Sequence, residues 1–349
     1  MVDRVETPDA APESLAVLEL LTAFWKPQAI FAAIKLGIPD LLAGETRSSG
    51  QLAAIIKAHQ PSLYRLLRAL CAIGLCTEVS NDMFELTPSG AILCSGAPDS
   101  LHYVALFFAT QMSELWSRLA DCVKAGQTAS RLTSGAGPFD AFAHDSQAAE
   151  IFHQAMLELT RMNAAALATS YDFSKIAELI DVGGGHGELL CAILRKNPTV
   201  RGAIFDLPHA GPGAIRTIEE AGLGDRCRII TGSFLDSVPA GADAYLLKTV
   251  IHDWEDERAV KILSNCRHAM KPDARLLLIE RIMPQRIEQT ARHEAVAMLD
   301  LTMLVGPGGR ERTQAEFNAL LRGAGLKVET VIPTPTQFNI LDTVAAKSP

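Results

Sequence analysis

Apolar residues repeat in two rhythms along this chain. In the first half they recur at three- and four-residue spacing. Leu15 to Leu42 is rich in apolar residues, is interrupted by Pro27 and ends before Gly44. Within it Ala29, Ile30, Ala33, Ile34 and Leu36 fall close to one helical face. A short helix follows over Ser49 to Lys57. Pro61 and Ser62 open another, Leu63 to Ile73, which Gly74 stops. Leu75 to Val79 and Met83 to Leu86 read as strands around the turn sequence Ser80-Asn81-Asp82. Two helices and then a small hairpin is the order of a winged helix-turn-helix. Leu101 to Tyr171 is again helical, broken by a Gly/Ser/Pro loop at Thr133 to Pro138. Its apolar run Leu101 to Met112 predicts a buried helix, too short for a membrane span. Met112, Trp116, Phe139, Phe142, Phe152 and Met156 are spread through this region. Such residues on helices build core more often than they line a ligand.

In the second half, apolar runs of strand length alternate with helical stretches. The strands predicted are Leu179–Val182, Ala203–Leu207, Cys227–Thr231, Ala244–Val250, Arg275–Ile279, Lys327–Ile332 and Phe338–Val344. The first five alternate with helices, the signature of a parallel sheet covered on both faces. Only Pro333 to Gln337 separates the last two, too little for a crossover helix, so they must pair antiparallel. The expected fold is α/β with a doubly wound sheet that ends in an antiparallel hairpin, plus an N-terminal helical winged-helix domain. The expected division is 1–105, a helical linker and pocket region over 106–165, and a cofactor domain over 166–349.

Composition narrows the class. The chain has 349 residues, 48% of them hydrophobic and 21% charged, which excludes a disordered protein. Lys and Arg number 32 against 40 Asp and Glu, a formal charge of -8. That balance argues against nucleic acid as a partner, because phosphate binding rests on clustered cations. The cysteines at 71, 76, 94, 122, 191, 227 and 266 have no zinc or disulfide spacing and read as free thiols in a reducing compartment. The N-terminus lacks the pattern of a signal peptide, and no apolar run reaches a membrane span, so the expectation is cytoplasmic with no membrane partner.

The chemistry begins at Asp181-Val-Gly-Gly-Gly-His-Gly-Glu188, between the first strand and a helix over Leu189 to Lys196. Glycines there let the backbone turn and approach a ligand, and the helix N-terminus offers free N–H groups. The nicotinamide fingerprint fails in both frames: its third glycine would fall on Glu188, or its second on His186. There is no Gly-Lys-Ser/Thr of a P-loop either. The acid Asp181, ahead of Gly183 and Gly185, suits a cationic ligand better than a pyrophosphate. Asp206 ends the next strand, about 20 residues on, placed to accept both hydroxyls of a ribose. Taken alone, it would be a turn residue before Pro208.

His252, in Ile251-His-Asp-Trp254, follows the fourth strand and so falls at the mouth of the ligand crevice. Two acids could orient it. Glu280 ends the next strand, and Glu311 sits in the Gly308-Gly-Arg-Glu-Arg-Thr313 loop. Glu311 also reads as favourable charge before a helix that Thr313 caps.

With these residues the chain resembles the plant-type small-molecule O-methyltransferases, which include caffeate and hydroxyindole methyltransferases and bacterial natural-product enzymes. Asp181-Val-Gly-Gly-Gly-His-Gly, Phe205-Asp-Leu-Pro-His209, Leu247-Lys248, Ile251-His-Asp-Trp254 and Gly308-Gly-Arg-Glu-Arg-Thr313 carry the resemblance, and Pro61 to Leu70 is similar to the family's N-terminal dimerisation domain. The resemblance implies a class I Rossmann-like fold, a homodimer and metal-independent methyl transfer from S-adenosylmethionine, leaving S-adenosylhomocysteine. It implies that Asp181, Gly183, Gly185 and Asp206 hold the amino-acid and ribose parts of the cofactor. Leu207, Phe234, Lys248 and Trp254 would surround the adenine. Ser233 stands where many relatives have Asp. His252 would be the general base flanked by Glu280 and Glu311, and Phe152, Met156, Asp253 and Met303 would line a pocket for a small aromatic acceptor such as a phenol, hydroxyindole or polyketide. Two other readings stand beside this one. Arg65 and Arg68 on the would-be recognition helix suggest a winged-helix regulator that senses a ligand. The same fold could also transfer methyl to nitrogen or carbon, or not methylate.

Overall fold

The computed structural model describes residues 12–135 and 145–346. Phe139 and Phe142, with the second half of the predicted Thr133 to Pro138 loop, lie outside them; Thr133 and Ser134 end a helix and Gly135 caps it. The chain separates into two compact units, Met1–Ala109 and Thr110–Pro349. The helical stretch expected as a linker therefore clusters with the second unit from Thr110 onward.

In the first unit, helices α1 (Pro12–Thr22), α2 (Trp25–Lys35) and α3 (Ile38–Leu42) precede a short strand β1 (Arg47–Ser48). Then come α4 (Ser49–Ile56), α5 (Gln60–Ala72), β2 (Cys76–Ser80), β3 (Met83–Leu86), α6 (Pro88–Ala91) and α7 (His102–Phe107). Ser48 starts α4 with a capping box: its Oγ accepts the Gln51 N–H while the Gln51 carbonyl oxygen accepts the Ser48 N–H. Leu52, Leu63, Leu67, Leu70 and Phe84 form the core between the two helices and the hairpin. β1 adds to that hairpin as a third strand, antiparallel to β3.

Two expectations change here. The Leu101–Met112 run is buried along one face only: Ala105, Ala109 and Met112 are buried, Ala105 in a small cluster with Ile34 and Leu93, while Phe108 and Thr110 are exposed. And α1 with α2, Pro12–Lys35, is long and apolar enough to cross a membrane, because the chain passes from one helix to the next with a turn too small to break the apolar stretch. Leu15, Val17, Leu18, Leu20, Leu21, Phe24 and Trp25 are exposed along it.

The second unit opens with α8 (Ser113–Ser117), α9 (Leu119–Ala125), α10 (Ala129–Ser134) and the long α11 (Ser146–Leu167). A seven-stranded sheet follows. Its strands are β4 (Glu178–Val182), β5 (Arg201–Asp206), β6 (Cys227–Thr231), β7 (Ala244–Lys248), β8 (Arg275–Glu280), β9 (Leu326–Pro333) and β10 (Asn339–Ala345). They lie in the order β6-β5-β4-β7-β8-β10-β9, with β4 to β8 parallel and β10 antiparallel to both neighbours. Helices α12 (Glu188–Lys196), α13 (Gly211–Glu220), α14 (Asp256–Ala269), α15 (Ala291–Val305) and α16 (Gln314–Gly323) complete it.

Alternation along each strand builds two cores. Ile180, Val182, Tyr245, Leu247, Leu276 and Leu278 face one layer of helices. Leu179, Ala244, Leu246, Leu277 and Ile279 face the other. Chain order reverses between β4 and β7, so the crevice for a ligand opens at their carboxyl ends. β7 stops at Lys248, two residues before the predicted end, because Thr249 turns into the left-handed region at φ 51. β5 stops at Asp206; Leu207 stays extended, as a residue before proline does, and caps a 3-10 turn that opens at Pro208.

Tyr245 is fully buried, and its hydroxyl donates to the Ala269 carbonyl at 2.8 Å, tying α14 to the sheet. Tyr245→Phe should lower unfolding free energy by about 1–2 kcal/mol, measured by urea titration, since it also takes the hydroxyl acceptor from the buried Ala242 N–H, 3.3 Å away.

Candidate active site

The rim of the sheet is built from strand ends and the loops after them. Between β4 and α12 the backbone takes positive φ at Gly183, Gly185 and Gly187. A side chain at Gly187 would lie 2.1 Å from Ile204 Cδ1, and one at Gly184 would lie 2.8 Å from the Asp181 carboxyl carbon. The loop is therefore pressed against the sheet and needs glycine there. At Gly185 nothing lies within 4 Å of an added Cβ, so that side of the loop is open.

Asp206 clasps the same loop. One of its carboxylate oxygens accepts the Gly185 N–H at 2.7 Å and the other the Leu207 N–H at 2.6 Å. Burial pushes the Asp206 carboxyl above its ordinary range. Asp181 is buried beneath Gly184 and is pushed up to about 7 by that burial, with Lys248 opposing and Asp206 adding to the rise.

Phe234 and Trp254 meet edge to face, 5.9 Å between ring centroids, and Phe234 lies against the Gly183 position beside Val250. Leu207 is exposed next to Asp206. Ser233 Oγ accepts the Leu235 N–H, so the hydroxyl closes its own turn. Lys248 is not with the aromatic pair. Strand alternation puts it on the face of Leu246, whereas Trp254 packs in the core cluster of Leu247. Its ammonium donates to Thr160 Oγ1 at 3.2 Å; burial lowers it to about 8, with Arg281 adding to the fall and Glu280 and Asp181 opposing.

His252 sits in a short 3-10 turn, Ile251–Asp253, directly after strained Thr249. Its Nδ1 bonds Glu311 Oε1 at 2.8 Å, and its Nε2 lies 3.5 Å from Asp253 Oδ1. Asp300 fixes Glu311 in turn by accepting its backbone N–H at 2.8 Å. Glu280 plays a different part: it accepts the Ile251 N–H at 3.0 Å and so holds the backbone beside His252. Glu280 Oε2 and Glu311 Oε2 are both buried without a protein partner among the described residues. Burial by itself would lower the His252 imidazole, but the carboxylates of Asp253, Glu280 and Glu311 outweigh it and raise it to about 9. Burial raises Glu280 to about 7 and Asp253 to about 6, against the pull of His252.

Of the residues expected around an acceptor, Asp253 is beside the imidazole, Met303 is buried on α15, and Phe152 and Met156 are partly buried on α11. Two groups escaped notice in the sequence. The first is a stack of imidazoles: His153 on α11 lies 5.3 Å from His186 of the glycine loop and 4.9 Å from His209. Three histidines 33 and 23 residues apart carry no spacing signal. The second is Arg312, fully buried next to Glu311, which in the sequence is one residue of the Gly308–Thr313 motif and carries no role of its own.

Comparison with known proteins came from three directions. Residues 116–327 match the family model of an O-methyltransferase domain, and residues 18–96 that of an O-methyltransferase dimerisation domain. The phenazine O-methyltransferase PhzM of Lysobacter antibioticus is 38% identical over 333 residues, 95% of this chain and 96% of that protein. The solved structure of LaPhzM, also 38% identical, superposes with a TM-score of 0.91 over 96% of this chain and 100% of that one. NcsB1, an O-methyltransferase from neocarzinostatin biosynthesis, was solved in complex with S-adenosylmethionine and 2-hydroxy-5-methyl naphthoic acid. It is 30% identical, with a TM-score of 0.78 over 91% of this chain and 95% of that one.

The raised imidazole fixes a pH dependence. A group whose folded pKa lies above its unfolded value of about 6.5 stabilises fully below that value and loses the contribution as pH rises through its folded pKa. NMR titration of His252 should give a midpoint near pH 9, and Glu311→Gln should bring it down. The stability lost in Glu311→Gln should be greatest below about pH 6.5 and shrink as pH passes 9, read by denaturant unfolding.

Proposed function

This chain belongs to the O-methyltransferase family, and from that membership we propose that it moves a methyl group from S-adenosylmethionine to the hydroxyl of a small, flat aromatic molecule, with His252 as general base. The observation that carries the reading is the buried His252–Glu311 pair on the same sheet rim as the glycine loop. The rim suits a cationic cofactor. Burial holds the Asp181 carboxyl above its ordinary range, and a cation beside it would favour the carboxylate. Gly183, Gly185 and Asp181 would hold the amino-acid portion and Asp206 the ribose. Leu207, Phe234 and Trp254 would bracket the adenine. Lys248 takes a place beside Asp181 in this scheme, and Ser233 contributes its backbone turn.

When bound, S-adenosylmethionine supplies a methyl group on a cationic sulfur. The protein's part is to place the acceptor and take its proton. Glu311 accepts the Nδ1–H of His252, which leaves Nε2 as the basic atom and holds the imidazolium once the proton has arrived. Asp253 steadies the Nε2 side. A phenol near 10 and an ordinary imidazole near 6.5 are about 3.5 units apart, about 5 kcal/mol. Raising His252 to about 9 narrows that gap, and the neutral imidazole that can take the proton becomes more populated as pH rises toward 9. An aliphatic alcohol would remain far out of reach, which favours aromatic hydroxyls. Phe152, Met156 and Met303 supply apolar walls that keep water from the acceptor, and a dry site favours a reaction that consumes charge. Glu280 keeps the base's backbone in place.

The exposed apolar face of α1 and α2 lies partly within the 18–96 dimerisation match, and a homodimer through it accounts for so much uncovered hydrocarbon.

A screen over phenols, hydroxyindoles and hydroxylated polyketides, read as S-adenosylhomocysteine release, should find turnover with at least one aromatic class and none with simple alcohols. His252→Ala should cut kcat at least about 100-fold while calorimetry shows cofactor affinity nearly unchanged; lost cofactor binding would contradict the role. Leu18→Asp with Leu21→Asp should convert a dimer to a monomer in sedimentation.

A further inference from the structure

We infer that Arg312 is the positioning residue of this site: it sets the backbone of the loop that carries His252 and thereby the direction of Nε2. The inference rests on His252 being the base.

Arg312 is the largest fully buried side chain among the described residues. An arginine is tolerated there only if its donors are met. Nη1 donates to the Ile251 carbonyl at 2.9 Å, and Nη2 to the Trp254 carbonyl at 2.6 Å and to Asp256 Oδ1 at 2.9 Å. Nε reaches the same carboxylate oxygen at 3.1 Å. These acceptors lie on both sides of His252 in the chain, so one rigid planar group spans the whole turn.

The surrounding contacts point the same way. A side chain at Gly309 would lie 2.0 Å from the His252 carbonyl oxygen and 2.5 Å from the Trp254 nitrogen, so the 309–312 segment lies flat against the turn. Arg310 pairs with the other oxygen of Asp256. Glu311, between the two arginines, takes the imidazole itself. The Arg312 carbonyl accepts the Met283 N–H at 2.9 Å, which ties the segment to the chain just beyond Glu280. Three consecutive residues thus fix the loop's ends, its backbone and its ring. Arg312 touches none of the reacting atoms and acts only through that loop. Lysine cannot replace it, because one ammonium on a flexible stem cannot meet acceptors on both sides of a turn.

Arg226 is a matched control. It donates to the Leu194 carbonyl at 3.0 Å, the Val200 carbonyl at 2.9 Å and the Asn197 carbonyl at 3.2 Å, at the opposite end of the parallel strands. The test compares Arg312→Lys with Arg226→Lys in the full-length protein. The measurements are kcat, KM for cofactor and acceptor, melting temperature, and the NMR titration of His252 without ligands. Arg312→Lys should lower kcat about 10- to 100-fold with KM for the cofactor little changed. It should also move the His252 midpoint down by about one unit as the Glu311 contact loosens. Arg226→Lys should lower the melting temperature and leave kcat and the His252 midpoint unchanged. An Arg312→Lys enzyme with native kcat overturns the inference. So does one that only melts earlier, like the control, with an unshifted His252. If Arg312→Lys does not fold, Asp256→Asn carries the test: it leaves both carbonyl contacts and removes the carboxylate anchor. A downward shift of the His252 midpoint in that variant supports the inference, and an unshifted one overturns it. Should the native enzyme methylate no acceptor, the reading of the reaction fails while the titration still decides the role of Arg312.

Discussion

The bond between His252 and Glu311 is the contact on which the site turns. Both residues are buried, and a buried polar group costs free energy unless it is hydrogen-bonded, so each meets the other's need. In the proposed reaction the joined pair would serve as a base whose charged form is stabilised where it forms. The surplus of acid around them, Asp253 and Glu280 as well as Glu311, more than offsets the cost of burial and lifts the imidazole toward the range of a phenol. Burial first, and then the neighbouring carboxylates, keep Glu280 and Asp253 above ordinary carboxylates, so the cluster holds protons as well as charge. Segments 59 residues apart meet to make this bond, and so its geometry depends on how firmly they dock.

That docking is a property of the sheet. Parallel strands end on one rim, and β4, β5, β7 and β8 bring Asp181, Asp206, Lys248 and Glu280 to it. Each of these is ionisable and moved from its ordinary pKa by burial. α11 is held across the neighbouring loops by ion pairs of Arg161 with Glu188 and Arg216 with Glu150, and by the stacked rings of His153, His186 and His209. The helix that bears Phe152 and Met156 is therefore tied to the loop that bears Gly183 and Gly185. In such an arrangement the proposed acceptor pocket and the proposed cofactor crevice share a wall.

The acidic balance of the chain also takes on a local meaning. As a bulk property it argued only against nucleic acid. Among the described residues, Asp181, Asp206, Asp253, Glu280 and Glu311 place five carboxyls in or beside the proposed site, where a sulfonium cation would be at home. The apolar content divides in a comparable way, with two cores on the faces of the large sheet and a third in the first unit. What remains is the uncovered α1 and α2.

Local patterns determined much by themselves. Strand runs such as Cys227–Thr231, the glycine loop after β4, and the Pro333 to Gln337 connection too short for a helix follow from periodicity and chain geometry, which act over a few residues. The candidates Asp206, His252 and Glu311 were also legible, because strand ends and loop motifs mark the rim. Tertiary structure decided the rest. Only packing could assign Glu311 to the imidazole and Glu280 to the Ile251 backbone, since both acids were equally placed in sequence. Only the alternation of β7 within a finished sheet separates Lys248 from Trp254. Arg312 and the three histidines gain their meaning from burial and from partners distant in the chain. Those are long-range contacts, and no local pattern of residue types encodes which partner will arrive.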